Sequence, residues 1–203
     1  VACTHFACAD ELDGDATRQQ LECFNAVTSD LDLPRSIANS AGVLAWPESH
    51  AQWNRPGYML YGSSPFAVDV VTARELRPAM TLRSEIIAIR AVPTGESVGY
   101  GARWTAERPS IIGTVAIGYA DGYPRHAQNG TPTLVNGKLA PLAGTVSMDA
   151  ITVDLTGHDN ARVGDSVELW GSGIAVNAVA AAAGTVGYQL LTGVSSRVPR
   201  TYS

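Results

Sequence analysis

The stretch TLRSEIIAIRAV, residues 81–92, decides the fold. It is rich in β-branched and apolar residues and is broken by Pro93-Thr94-Gly95, a turn signal, so it reads as a strand that ends in a reversal. The same signature returns downstream. IIGTVAIGYA (111–120), TPTLVNGKLAPLAGTVSMDAITVDL (131–155) and DSVELWG (165–171) are strand-like runs broken by Asp-Gly and Asn-Gly turns. Strands joined this closely pair with their neighbours in antiparallel fashion, so residues 76–203 are expected to form a mostly antiparallel β-domain. Residues 175–193 add two short helices, with Gly184 as the break between them.

Upstream of residue 76 the rhythm differs. Residues 2–7 read as a strand, and 15–31 as a helix opened by Asp15 as N-cap, with Leu21, Phe24, Ala26 and Val27 near helical spacing. Residues 36–39 form a second strand candidate, a small helix follows Pro47, and 57–61 form a third strand candidate. This β/α alternation suits the tail of a parallel barrel better than a complete domain. The expected architecture is α/β plus β: residues 1–75 as the C-terminal part of a TIM-type (β/α)8 barrel, then the β-domain over 76–203.

Composition narrows the function classes. Hydrophobic residues make up 45% and charged residues 16%, with no apolar run of membrane-spanning length, so a globular chain without a membrane partner is expected. The net charge of −5 and scattered Arg residues lack the basic surface of a nucleic-acid binder, which leaves a small molecule as the expected partner. Cys3, Cys8 and Cys23 are odd in number and crowded at one end, which suggests a reducing, cytoplasmic setting rather than a disulfide framework. The first residues have neither a basic n-region nor an apolar h-region, and the chain opens on Val1 directly in a strand, so an upstream segment is expected.

His5, His50, His126 and His158 are too dispersed for zinc-ligand spacing, and no metal site is expected. A phosphate-binding Gly-rich loop is absent, Gly99-Tyr100-Gly101 lacks its third glycine, and Ser63 and Ser64 lie outside any nucleophile elbow. Two segments stand out. GYADGYPR (118–125) places two Tyr, an Asp and an Arg after a buried-type strand, and Ser147-Met148-Asp149 interrupts another β-branched run. Either alone reads as an exposed turn; two such interruptions in one β-domain point to a site.

Nine motifs then carry a resemblance across essentially the whole chain: THFACADE, SIANSAG, RPGYMLYG, SVGYGARW, GYADGYPR, VSMDAITVDL, VELWG, GTVGYQLLTG and SRVPRTY. In order and approximate spacing the chain resembles the alanine racemases, enzymes that use pyridoxal 5'-phosphate (PLP). The resemblance implies interconversion of L- and D-alanine by two bases acting on opposite faces of the cofactor-bound substrate, within a homodimer whose active sites are shared.

By that resemblance Ser40 and the backbone at Gly57 and Tyr58 hold the PLP phosphate, with a hydroxyl from Tyr188. The barrel fold suits such a site. By themselves Ser40 reads as a helix N-cap, and Tyr58 and Tyr188 as packing residues. Arg55 resembles the arginine that faces the pyridine nitrogen, and a guanidinium that keeps its protons leaves that nitrogen unprotonated. Tyr100 resembles the catalytic tyrosine delivered to the opposite subunit. A phenol titrates near 10, and His5 with Arg55 behind it would supply the positive charge that lowers this value. Without the motifs, Arg55 reads as a surface residue and His5 as a strand-end histidine.

Met148 resembles the residue whose backbone N–H meets the substrate carboxylate across the dimer, while Tyr119 and Asp149 resemble residues that narrow the entrance. Thr145 departs from the family pattern, since many relatives carry Arg there, and this leaves the size of the accepted substrate open. The Schiff-base lysine of the family lies in an N-terminal barrel segment. The only lysine here is Lys138, in an Asn-Gly hairpin, and it is rejected for that role. The chain by itself is therefore expected to be inactive until such a segment supplies the lysine. Three alternatives stay open: a broad-specificity racemase, a PLP carrier, and a non-catalytic dimerisation fragment. A related decarboxylase would need a cysteine acid, which residues 76–203 lack.

Overall fold

In the computed structural model, which describes residues 1–202, the chain divides into two compact units, Val1–Ala79 and a second that opens at Met80. In the first unit, strand β1 (Ala2–Cys3) runs parallel to β2 (Arg35–Ser36), and Ser36 forms a further parallel bridge to Trp53. Helix α1 (Ala16–Val27) connects the two strands and turns Leu21 and Phe24 inward. These join Phe6, Ala9, Ile37, Ala41, Trp46 and Phe66 in one core. The larger of these side chains, such as Leu21, Ile37 and the phenylalanines, each contribute about 2 kcal/mol when fully buried. The Trp46 indole N–H donates to the Ala9 carbonyl at 2.8 Å, so its polar edge is satisfied inside that core.

The parallel β/α rhythm is present, but several boundaries differ from expectation. Helix α1 stops at Val27 rather than 31: Thr28 leaves the helical backbone angles, and its hydroxyl and N–H both donate to the Phe24 carbonyl. Asp15 occupies the N-cap position with near-helical angles and makes no capping bond; its carboxylate pairs instead with Arg18 at 3.3 Å. Helix α2 (Ser40–Ala45) follows β2, and its N-cap is Asn39, whose side chain accepts from Gly42 N at 2.9 Å. Ser40 is thus the first helical residue and not the cap. Residues 57–61, expected as a strand, contain one turn of 3-10 helix over Tyr58–Tyr61, closed by left-handed Gly62. The third extended position lies upstream, at Trp53.

The second unit is antiparallel. Its strands are β3 (Leu82–Val92), β4 (Ser97–Val98), β5 (Trp104–Thr105), β6 (Ser110–Val115), β7 (Leu134–Val135), β8 (Lys138–Leu139), β9 (Ile151–Asp154) and β10 (Ser166–Trp170). Six of them form one sheet in the order β8-β7-β10-β3-β6-β9, while β4 and β5 pair separately. Strand β3 pairs with β10 on one side and β6 on the other. Apolar residues of these strands, among them Ile86, Ile112, Val115, Val153, Val167 and Leu169, are buried. Asn136 and Gly137 take the positive φ values that a tight β7–β8 turn requires. Helices α3 (Val176–Ala182) and α4 (Gly187–Gly193) follow, separated at Gly184. Among the described residues no helix is long and apolar enough to cross a membrane, and no group of acidic, His or Cys residues could hold a metal ion.

Candidate functional site

In the first unit the sequence-distant THFACADE, SIANSAG and RPGYMLYG meet at the ends of the parallel strands. Arg55 is fixed there by four partners. Its Nη1 donates to Ser36 Oγ at 2.6 Å, and its Nη2 reaches the carbonyls of Thr4 at 2.6 Å and Ile37 at 3.3 Å. The same Nη2 lies 3.3 Å from His5 Nδ1. The fork shape of a guanidinium makes this grip possible, since it presents several donors in one plane. The structure thus brings Arg55 and His5 together, with the charge of one held against the ring of the other. Arg55 N also donates to the Ala38 carbonyl at 2.8 Å, which fixes the chain at the start of RPGY.

Ser40 is buried at the start of α2, and its Oγ accepts from Met59 N at 3.2 Å. This bond ties α2 to the turn that carries Gly57 and Tyr58. Tyr58 is buried, whereas Gly57 is exposed and has open space where a Cβ would stand.

In the second unit, the two anomalous segments lie against each other. Tyr119 N donates to the Ser147 carbonyl and Ala120 N to the Met148 carbonyl, both at 3.0 Å. Gly118 permits the approach: a Cβ there would stand 2.3 Å from Met148 O. Met148 and Asp149 project from the turn into solvent, and Tyr119 is half-exposed with the Arg125 guanidinium 5.9 Å from its ring centre.

Arg197 joins these loops from the chain's last segment. Its Nε donates to Asp121 Oδ1 at 2.6 Å, and its Nη2 binds Asp149. Asp121 also accepts from Gly118 N at 2.8 Å and caps its own loop. Burial pushes the Asp121 carboxyl up, but the hydrogen bond and charge of Arg197, with the Gly118 N–H, outweigh it and hold the group below the usual carboxylate range. The two carboxylates in turn raise Arg197 above the ordinary guanidinium value. Behind the loop, Tyr123 is buried and stacks on Trp170 with ring centres 6.3 Å apart; burial pushes its phenol up.

Tyr100 is 72% exposed, on a loop between β4 and β5 in which Gly99, Gly101 and Ala102 all have positive φ. Tyr188 is half-exposed on the first turn of α4, and its carbonyl accepts from Thr192 Oγ1 at 2.7 Å. Lys138 is exposed on β8 with Nζ donating to the Gly157 carbonyl at 2.6 Å.

Residues 79–202 match the family described as alanine racemase, C-terminal domain, and residues 1–65 match alanine racemase, N-terminal domain. The chain belongs to the alanine racemase family. The biosynthetic alanine racemase of Pseudomonas aeruginosa is 58% identical over 201 residues, which cover 98% of this chain and 56% of that protein. A crystal structure of biosynthetic alanine racemase from the same species superposes with a TM-score of 0.95 at 57% identity, covering 99% of this chain and 56% of that one. The alanine racemase of Bartonella henselae, solved with covalently bound pyridoxal phosphate, matches at 31% identity and a TM-score of 0.89, covering 99% of this chain and 56% of its own. The chain spans about half the length of the curated relatives it matches.

Sequence reasoning missed Arg197 and Asp121 as partners. SRVPR carried the resemblance without a role, and its signal was a cation with no carboxylate in its own segment, while two carboxylates stood in the two suspected loops. It also missed Asn129, which reads only as the first half of an Asn-Gly turn.

Proposed function

We propose that this chain provides the phosphate-binding and proton-transferring residues of a PLP-dependent racemase that interconverts L- and D-alanine. The observation that carries the reading is the Arg55 guanidinium fixed by strand-end acceptors with His5 at 3.3 Å, within motifs of the alanine racemase family.

The first unit's residues fit the cofactor. The buried Ser40 hydroxyl accepts from Met59 N and keeps its own proton to give to an anion, and Gly57 leaves space for a phosphate to approach the backbone. Ser40, Gly57 and Tyr58 would hold the phosphate, and Arg55 would meet the ring. Bound there, PLP supplies the electron sink that makes an amino acid's α-proton removable. The chain's own residues then govern the proton. Tyr100, exposed on its loop, serves the active site of a partner subunit in a homodimer, where it takes or returns the α-proton on one face. A neutral phenol near pH 7 is a poor base, and the positive charge of an Arg55–His5 pair stabilises the phenolate. Met148 offers its backbone N–H at the tip of the Ser147–Asp149 turn to the substrate carboxylate, while Tyr119 and Asp149 narrow the approach to it. Lys138, engaged with Gly157 on an exposed hairpin, takes no part, so the base for the opposite face comes from outside these residues.

The test joins this chain to the N-terminal segment of the Pseudomonas aeruginosa relative and follows optical rotation with L-alanine and with a panel of larger amino acids. Racemisation confined to alanine is expected. Equal rates with larger substrates would favour a broad-specificity racemase, and no racemisation of any amino acid would refute the reading.

A further inference from the structure

The loop that carries Tyr100 has little internal support. Between β4 and β5 it places Gly99 at φ 78°, Gly101 at φ 74° and Ala102 at φ 48°, and within the loop Ala102 N reaches the Gly99 carbonyl at 3.3 Å. Ala102 is an L-residue in the left-handed region, which costs roughly 1 kcal/mol and persists only where neighbours enforce it. Two side chains supply that enforcement. Thr145 Oγ1 donates to the carbonyl of Tyr100 itself at 2.8 Å. Asn129 works from the other end: its Nδ2 donates to the Arg103 carbonyl at 2.7 Å while its Oδ1 accepts from Gly144 N at 2.7 Å. The loop is therefore bonded on both sides of its strained residues to one short strip, Gly144-Thr145, and a Cβ on Gly99 would stand 3.1 Å from Thr145 N. That strip is itself anchored, since the preceding Ala143 N donates to the carbonyl of Thr152 in β9 at 2.8 Å.

We propose that Thr145 and Asn129 are positioning residues that clamp the loop on either side of its left-handed turn and fix where the Tyr100 phenol projects. The inference rests on the reading of Tyr100 as the proton-transferring tyrosine. It gives Thr145 a task that an arginine at that position, with no hydroxyl, would not perform in the same way. Thr145 lies close against the loop, half-buried, so its hydroxyl holds backbone at short range, whereas a guanidinium would reach past it. Because proton transfer depends steeply on geometry, loosening the clamp should affect turnover far more than substrate binding.

The test uses two readouts. In the full chain with 3-fluorotyrosine at position 100, fluorine NMR should give one narrow resonance for the native protein and for Thr145→Ser. Thr145→Val and Asn129→Ala should each give broadened or multiple resonances while the rest of the fold keeps its circular dichroism. In the protein completed with the relative's N-terminal segment, Thr145→Val should lower kcat about tenfold, with KM within about twofold, and shift the basic limb of the pH profile, and Thr145→Ser should restore both. A single unchanged resonance in both Thr145→Val and Asn129→Ala, or an unchanged kcat in Thr145→Val, would overturn the clamp. Because the resonance needs no turnover, it decides the clamp even where the completed protein fails to racemise, an outcome that sinks the proposed function instead.

Discussion

Arg55 illustrates how much a single side chain organises here. Its two terminal nitrogens satisfy Ser36 Oγ and the Thr4 and Ile37 carbonyls, groups at the ends of the two strands β1 and β2. Lysine has one nitrogen and cannot span them, so Arg55→Lys should destabilise the chain by about 2 kcal/mol, read from its urea midpoint. Asp121 offers a test in pH. Its carboxyl titrates lower in the folded chain than the roughly 3.9 of an unfolded aspartate, so its stabilisation is present above that value and is lost as pH falls through the lower folded one. The stability difference between native and Asp121→Asn should therefore be about 2 kcal/mol at pH 7 and shrink as the pH is lowered below the ordinary aspartate value, measured by urea titration at several pH values. A difference that stays constant across this range would contradict the role given to Arg197.

At the scale of elements, the approach of the 118–125 loop to the 147–149 turn depends on a missing side chain. Gly118→Ala would drive a Cβ into the Met148 carbonyl, and with extended backbone angles at Gly118 the penalty is contact rather than torsion. The expected cost is about 2 kcal/mol in thermal or urea unfolding, with the loop displaced from the turn. Both segments were legible in the sequence, because polar groups interrupted runs that packing alone would have kept apolar. Strand β3 was legible for another reason, its length and its β-branched and apolar residues from Ile86 to Val92 ending at Pro93-Thr94-Gly95. Residues 57–61 misled. The apolar, aromatic YMLY has strand composition, but the glycines on either side of it let the chain turn, and the preceding Pro56 lies past the last strand bridge at Trp53. Helix α2 escaped notice because six residues are too few to show a 3.6 period, and only Asn39 marks its start.

For the whole molecule, the change from parallel β/α to antiparallel β was readable from turn signals and strand spacing, and it separates two units built on different principles. The roles of individual residues were not readable that way. Arg197 meets Asp121 across 76 positions of sequence, and Arg55 meets Thr4 across 51, separations at which spacing carries no information. Resemblance supplied the candidates, and the coordinates supply their partners. Lys138 belongs to the same scale, because its exclusion rests on where the hairpin places it. Lys138→Arg should leave PLP retention and racemisation of the completed protein within about twofold of native, checked by absorbance and polarimetry.

The proton-transferring role proposed for Tyr100 is central. It is tested most directly by following deuterium entry at the α-carbon of alanine, by proton NMR in heavy water, with the completed protein and its Tyr100→Phe variant. With L- and D-alanine followed separately, loss of the phenol should slow exchange of the enantiomer whose α-proton faces Tyr100 by roughly a thousandfold, leaving exchange of the other enantiomer far less affected and PLP bound. Exchange of both enantiomers in Tyr100→Phe within a few-fold of native would contradict it.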